Sequence, residues 1–250
     1  MITIILAGGL GSRMKSLLPK VLHIINDYPM IYYVIQNALH LGSTKILIVV
    51  GKYKSMIKEY IDKYFPKNEK IEYITQELPN GTGHAIQCCI SYFINNKVPP
   101  SENILILSGD VPLITVKTLK HLMEIPNTLL ITKTDTPFGC GRIILDDEDK
   151  IVKIIEEKDC TEKERQIQYI NCGIYNITVQ TLLDTVPYIK NLNKVSEYYL
   201  TDFVDLAWAK NIDLHYCELP PQDLYQVINI NTIEELVRAN EIIFTKNAFA

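Results

Sequence analysis

Ile2-Thr3-Ile4-Ile5-Leu6, followed by Ala7-Gly8-Gly9-Leu10-Gly11-Ser12-Arg13-Met14, decides how the rest of the chain is read. The first five residues form a short β-branched run that stops at Ala7-Gly8-Gly9, which predicts a fully buried first strand. Glycines directly after such a strand let backbone N–H groups approach a ligand closely. Arg13 and, beyond Pro19, Lys20 bring two cations to the same loop. Arginine grips phosphate oxygens bidentately, and lysine adds a point charge. The loop is not a P-loop, because GxxxxGK[ST] is missing, and it lacks the third glycine of a dinucleotide fingerprint.

Working outward, strands and helices alternate. Met30 to Leu41 carries apolar residues at helical spacing (Ile31, Val34, Ile35, Ala38, Leu39) and stops at Gly42. Lys45–Val50, Ile71–Thr75, Asn103–Leu107 and Thr128–Thr134 read as further strands. Ser55–Tyr64, Gly83–Ile94 and Val116–Met123 read as helices between them. Strands spaced by helices of this length imply crossover units, hence an α/β fold with a doubly wound, mostly parallel sheet. Such sheets bind ligands beyond the carboxyl ends of their strands, so the loops at 7–20, 76–83 and 108–112 are expected to converge. After about residue 137 the texture becomes β-rich, with strands at Gly141–Leu145, Ile151–Glu156 and Tyr169–Ile177. Thr201–Lys210 reads as a helix, Leu214–Glu218 and Tyr225–Ile230 as strands, and Thr232–Phe244 as an amphipathic helix. The organisation expected is one domain over 1–250, with a soft split into 1–136, 137–230 and a C-terminal helix over 231–250.

Length and composition fit this. The chain has 250 residues, enough for a substantial core, and 47% hydrophobic and 22% charged residues are ordinary for a globular protein. A net charge of −4 gives no basic footprint for nucleic acid. The six cysteines show no CxxC spacing and read as reduced, buried thiols. No secretory signal and no membrane-length apolar run is read, so a cytoplasmic location is expected, with neither membrane nor nucleic-acid partner.

The string LAGGLGSRM with Pro19-Lys20-Val21-Leu22 resembles the signature of sugar-nucleotide pyrophosphorylases. Gln76 with Gly81-Thr82-Gly83-His84-Ala85, and Gly109-Asp110-Val111-Pro112-Leu113-Ile114, are similar to the N-acetylglucosamine-1-phosphate uridyltransferase branch. So are Gly139-Cys140-Gly141-Arg142-Ile143, Glu156-Glu157-Lys158-Asp159, Arg165-Gln166-Ile167-Gln168, Ile170-Asn171-Cys172-Gly173-Ile174 and Glu197-Tyr198-Tyr199-Leu200-Thr201-Asp202. The resemblance runs from about residue 2 to about residue 232. It implies a Rossmann-like nucleotidyltransferase fold with a β-rich sugar-binding subdomain. The implied substrates are UTP and a sugar 1-phosphate, the implied cofactor is Mg²⁺, and the implied state is a monomer or small homo-oligomer.

By that resemblance, the backbone of Leu6, Ala7, Gly8 and Gly9 holds the nucleotide, and Arg13 and Lys20 act on its phosphates as the catalytic cations. Gln76 would read the base, since an amide offers both donor and acceptor, with Gly81 and Thr82 beside it. Gly109, Gly141, Glu156 and Asn171 would contact the sugar, and Thr201 would lie near its phosphate. Asp110, a carboxylate just past a strand end, suits hard Mg²⁺. Asn229 is expected to supply a second oxygen, with Asn231 as the competing position. His84 is not assigned as a base, because a sugar phosphate oxygen is already anionic.

Three departures stand out. Leu10 occupies a position that is usually basic or polar in the family, Ser108 replaces an aromatic residue, and no hexapeptide repeat is present. Neither acetyltransferase activity nor a β-helix trimer is therefore expected. The alternatives are a pyrophosphorylase for another sugar 1-phosphate or for dTTP, a glycosyltransferase on a similar sheet, and a catalytically inactive nucleotide-sugar-binding protein.

Overall fold

The computed structural model describes residues 1–9 and 11–247; Leu10 lies outside them. In chain order its main elements are β1 (Ile2–Leu6), β2 (Ile24–Ile25), β3 (Tyr28–Pro29), α1 (Met30–His40), β4 (Lys45–Val50), α2 (Lys54–Tyr64) and β5 (Ile71–Thr75). Next come α3 (Thr82–Asn95), β6 (Asn103–Ser108), α4 (Val116–Leu122), β7 (Thr128–Lys133), β8 (Arg142–Leu145), β9 (Ile151–Ile155) and β10 (Tyr169–Thr178). The last are α5 (Val179–Thr185), α6 (Phe203–Ala209), β11 (His215–Leu219) and α7 (Ile233–Asn247). The α/β class expected from the alternation holds. Among the described residues no helix is long and apolar enough to cross a membrane.

Two compact units interleave along the chain. The first is Met1–Pro79, Leu107–Leu119 and Gln222–Ala250; the second is Asn80–Ile106 and Lys120–Pro221. The split expected near residue 137 falls inside the second unit, and the C-terminal helix belongs to the first.

In the first unit β1, β4 and β5 run parallel, with Leu6 opposite Val49 and Val50 opposite Thr75. Ile4, Ile5 and Ile46 to Val50 are essentially without solvent exposure, each worth about 1.5–3 kcal/mol of burial. Helix α1 buries Met30, Ile31, Val34, Ile35 and Ala38, one face at helical spacing. A second cluster joins Ile25, Met30, Leu113, Ile230 and Ala239, so the chain on either side of Ile230 is fixed by the core. The predicted strand Tyr225–Ile230 is not formed. A 3₁₀ turn spans Pro221–Val227, held by Gln226, whose Oε1 accepts from Thr115 and Thr118 hydroxyls at 3.0 and 2.7 Å.

In the second unit β10 is the organising strand. It pairs antiparallel with β6, with β7 and, through Ile170 and Arg142, with β8. β8 pairs antiparallel with β9, and β11 pairs parallel with β7. Thus β6 and β7, read from sequence as successive crossover strands, each flank β10. Thr178 caps the unanticipated α5, its side chain accepting from the Thr181 N–H.

Candidate active site

The first unit assembles its site at the carboxyl ends of its parallel strands. After β1 the chain passes through Ala7 to Gly8, and after β5 it reaches Gln76, which is 5% exposed. A Cβ on Gly8 would stand 3.0 Å from Gln76 Oε1, so the glycine is what lets this side chain lie against the loop. Gln76 is therefore no exposed loop amide. The Gly109 N–H donates to the Leu6 carbonyl at 2.9 Å, bringing the segment after β6 onto the end of β1. A Cβ on Gly109 would meet that carbonyl and Val21 at 3.1 Å, so close packing also accounts for this glycine.

The charged residues gather on this scaffold. Gly11 adopts φ +63°, and a Cβ there would come within 2.9 Å of Lys20 Cβ. The loop therefore folds tightly over Lys20. The Lys20 ammonium is paired with Asp110 Oδ2 and donates to Asn231 Oδ1 at 2.8 Å. Arg13 donates to that same oxygen at 2.8 Å. Asp110 is 5% exposed, and its other oxygen accepts from the Ser108 hydroxyl at 2.5 Å. A buried charge is tolerated only when paired and hydrogen-bonded, and Asp110 meets both conditions.

The C-terminal residue brought into the cluster is Asn231. Asn229, the position expected to supply that oxygen, is not brought into the cluster: its side chain is exposed, and its carbonyl accepts from Asn231 Nδ2 at 2.9 Å. The reason is a long-range bond, Ile230 N–H to the Asp110 carbonyl at 3.0 Å. A capping box then pins Asn231 to the start of α7. Glu235 Oε2 accepts from the Asn231 and Thr232 N–H groups, and Thr232 Oγ1 accepts from the Glu235 N–H. That Thr-x-x-Glu pattern was visible in the sequence and could have marked Asn231 as the pinned asparagine.

The second unit brings together four of the five residues expected for a sugar. The Asn171 N–H donates to the Gly141 carbonyl at 2.9 Å. A Cβ on Gly141 would lie 3.6 Å from the Glu156 carboxylate and 2.9 Å from Ile154. Thr201 Oγ1 donates to Glu156 Oε1 at 2.9 Å. Burial pushes the Glu156 carboxyl up, against the lowering influence of Thr201. The fifth, Gly109, belongs to the first unit.

An ion pair with a buried arginine supports this group. Arg142, 1% exposed, donates to Glu157 at 2.6 Å and to the Cys140 carbonyl. Burial pushes Glu157 up, but Arg142, the Gly139 N–H and Arg165 outweigh it and hold the carboxyl below its usual range. The pair thus ties the Gly139–Gly141 turn to the end of β9.

Gly81 and Thr82, also in this unit, open α3. A Cβ on Gly81 would sit 2.5 Å from the Tyr198 carbonyl, and Thr82 Oγ1 accepts from the Leu200 N–H at 3.0 Å. Their local demand is the close passage of residues 198–200. His84 lies beside Tyr198, with ring centroids 6.1 Å apart.

The nucleotidyl transferase family model matches residues 2–220. The chain belongs to that family. Among curated relatives, a protein named "Probable UDP-N-acetylglucosamine pyrophosphorylase" from Acanthamoeba polyphaga mimivirus is 42% identical over 241 residues, covering 93% of this chain and 92% of that one. The "Bifunctional protein GlmU" of Thermoanaerobacter pseudethanolicus is 35% identical over 248 residues, 97% of this chain and 51% of that protein. The protein of the same name from Geotalea daltonii is 38% identical over 249 residues, 96% and 52% respectively. The chain therefore spans about half the length of these bacterial relatives. A crystal structure described as a "Putative Glucose-1-Phosphate Thymidylyltransferase from Bacillus anthracis in Complex with a Sucrose" superposes with a TM-score of 0.69 at 22% identity, covering 97% of this chain and 95% of that one. At that identity the likeness establishes the fold. This nucleotidyltransferase is thus a member of the sugar-phosphate family.

Proposed function

We propose that this nucleotidyltransferase transfers a uridylyl group from UTP to N-acetylglucosamine 1-phosphate, giving UDP-N-acetylglucosamine and pyrophosphate. The observation that carries the reading is the convergence of Arg13, Lys20, Asp110 and Asn231 beside a glycine loop at strand ends. Phosphoryl transfer asks little covalent chemistry of a protein and much electrostatic positioning, and this cluster supplies it. The names of the relatives at 42% and 35–38% identity support the choice of base and sugar.

In this reading an oxygen of the sugar 1-phosphate attacks the α-phosphorus of UTP in line. The bond to the pyrophosphate oxygen breaks on the opposite side. The attacking oxygen is already anionic, so no general base is required, and His84 takes no part. Arg13 and Lys20 stabilise the charge gathering on pyrophosphate. In the first unit Leu6, Ala7, Gly8, Gly9 and Gln76 would hold the nucleotide; in the second Gly141, Glu156, Asn171 and Thr201 would hold the sugar phosphate.

The donor set fits a hard divalent cation. A carboxylate oxygen of Asp110 and the carboxamide oxygen of Asn231 both turn to one ammonium, that of Lys20, so two oxygens already converge where positive charge sits. Asp110 and Asn231 would hold Mg²⁺, which takes one or two protein oxygens and completes its shell with substrate phosphates. When bound it supplies neutralisation of phosphate charge.

The test is pyrophosphate release by purified protein across a grid of sugar 1-phosphates and nucleoside triphosphates, with Mg²⁺ or EDTA, and with Asp110→Ala as control. Release with N-acetylglucosamine 1-phosphate and UTP, lost in the control and with EDTA, is expected. Release with a different pair would move the substrate, and none with any pair would leave a binding role.

A further inference from the structure

We propose that Tyr175 is a positioning residue that fixes the carboxamide of Asn171 and so sets the affinity for the sugar phosphate; this rests on the sugar-site reading given above.

Positions four apart on a regular strand are separated by about 13 Å, beyond the usual span of an Asn–Tyr bond. In β10 the Asn171 Nδ2 nevertheless donates to the Tyr175 hydroxyl at 2.7 Å. The strand makes this possible by breaking its own regularity. The pairing of β10 with β7 shifts register between Asn171 and Tyr175, and Gly173 within the break adopts φ +70°, a conformation natural to glycine. Such bulges re-aim side chains.

The same break holds the other end of the amide. The Gly173 N–H donates to Asn171 Oδ1 at 3.1 Å. An asparagine amide can be turned over, exchanging its oxygen and nitrogen, and its neighbours decide which way it points. A backbone N–H can only donate, so it selects the oxygen and leaves the nitrogen facing Tyr175. Of the four hydrogen-bonding positions on the amide, two are taken, and one N–H and one lone pair remain with fixed identities.

Tyr175 is suited to this task. It is 3% exposed and packs edge-on against Phe203, ring centroids 5.7 Å apart, so its hydroxyl cannot swing away. Burial pushes the phenol far above its usual range, and the nearby Glu156 carboxylate adds to that push. The hydroxyl therefore stays protonated and accepts from Asn171 at any working pH.

The experiment compares Tyr175→Phe and Asn171→Ala with wild type in steady-state pyrophosphate release, varying N-acetylglucosamine 1-phosphate at saturating UTP and the reverse, with melting temperatures in parallel. Tyr175→Phe keeps the ring and removes only the acceptor. It is expected to raise KM for the sugar phosphate about tenfold, as one lost hydrogen bond does. Its kcat should stay within about threefold and its KM for UTP should be unchanged, a split that a loss of stability alone would not produce. Asn171→Ala is expected to raise the sugar KM at least as far. An unchanged sugar KM in Tyr175→Phe beside a raised one in Asn171→Ala overturns the positioning role and leaves the sugar site standing. Unchanged values in both remove Asn171 from the sugar site and the proposal with it. Equal increases in both KM values, with a lower melting temperature, make Tyr175 a merely structural residue and overturn the proposal. Should Tyr175→Phe fail to fold, Tyr175→Met, which also lacks the hydroxyl, is compared in the same way, and an unchanged sugar KM there also overturns the proposal.

Discussion

The Lys20 ammonium and the Asn231 carboxamide oxygen lie 2.8 Å apart across 211 positions of sequence. Asn229, two residues earlier, is exposed. The two asparagines are therefore expected to separate in function. Asn231→Ala is expected to lower the rate of pyrophosphate release about 10²-fold, the typical loss for one such preorganised polar contact. Asn229→Ala should stay within about threefold. Reversal of that order in a side-by-side assay would return the role to Asn229.

Arg13 and Lys20 reach the same oxygen but differ in what their removal leaves behind. Either alanine variant is expected to lose about 10²–10³ in kcat. Lys20→Ala additionally deprives the buried Asp110 of its ion-pair partner, and breaking a buried pair from one side is strongly destabilising. Arg13 is exposed, and its loss strands no charge. Differential scanning calorimetry should show a clear drop in melting temperature for Lys20→Ala and little change for Arg13→Ala. A Lys20→Ala enzyme within about threefold of wild-type rate would remove that residue from the catalytic machinery.

How much was legible in the sequence depends on the range of the interactions involved. The strand Ile2–Leu6 running into glycines, and the carboxylate Asp110 just past β6, are local patterns, and both landed at strand ends as expected. Gly141, Glu156, Asn171 and Thr201 were named through their motifs, and the folding of β8, β9 and β10 gathers them. The choice between Asn229 and Asn231 was not local. The alternation Ile228-Asn229-Ile230-Asn231 presents both asparagines similarly, and the Ile230 N–H bond to Asp110 decides between them across 120 residues of chain. The place of β10 beside both β6 and β7 was hidden for the same reason: pairing partners are chosen by register between distant segments, which periodicity does not encode. The β2–β3 hairpin was missed although Asn26, at φ +54°, marks its turn.

Gly81 offers a test of stability separate from chemistry. Its φ of +105° is rarely open to other residues, and an added Cβ would stand 2.5 Å from the Tyr198 carbonyl, a backbone atom with little room to yield. Strain and overpacking each cost about 1–3 kcal/mol, so Gly81→Ala is expected to lose about 2–6 kcal/mol in urea unfolding. By contrast, a Cβ on Gly141 meets side-chain atoms alone among its nearest contacts, the Ile154 γ-methyl and the Glu156 carboxylate, and no backbone atom. Gly141→Ala should cost about 1–2 kcal/mol while raising KM for the sugar phosphate. Equal destabilisation in the two variants would contradict the packing argument.

Asp202 gives the fold a pH dependence with a definite sign. Burial, then the neighbouring carboxylates Asp205, Glu156 and Asp159, push its pKa from 3.8 up to about 6, against a lowering influence from Lys153. A folded pKa above the unfolded one means the native state holds the proton more tightly. The contribution to stability is complete below about pH 4, declines as pH rises through about 6, and is absent above. Asp202→Asn, which keeps the shape without the charge, should therefore melt higher than wild type at pH 8. At pH 4.5, where the native Asp202 is largely protonated, the difference should shrink. Melting temperatures of both proteins from pH 4.5 to 8 provide the check, and a gap that stays constant or widens toward acid would show that Asp202 is not the group responsible.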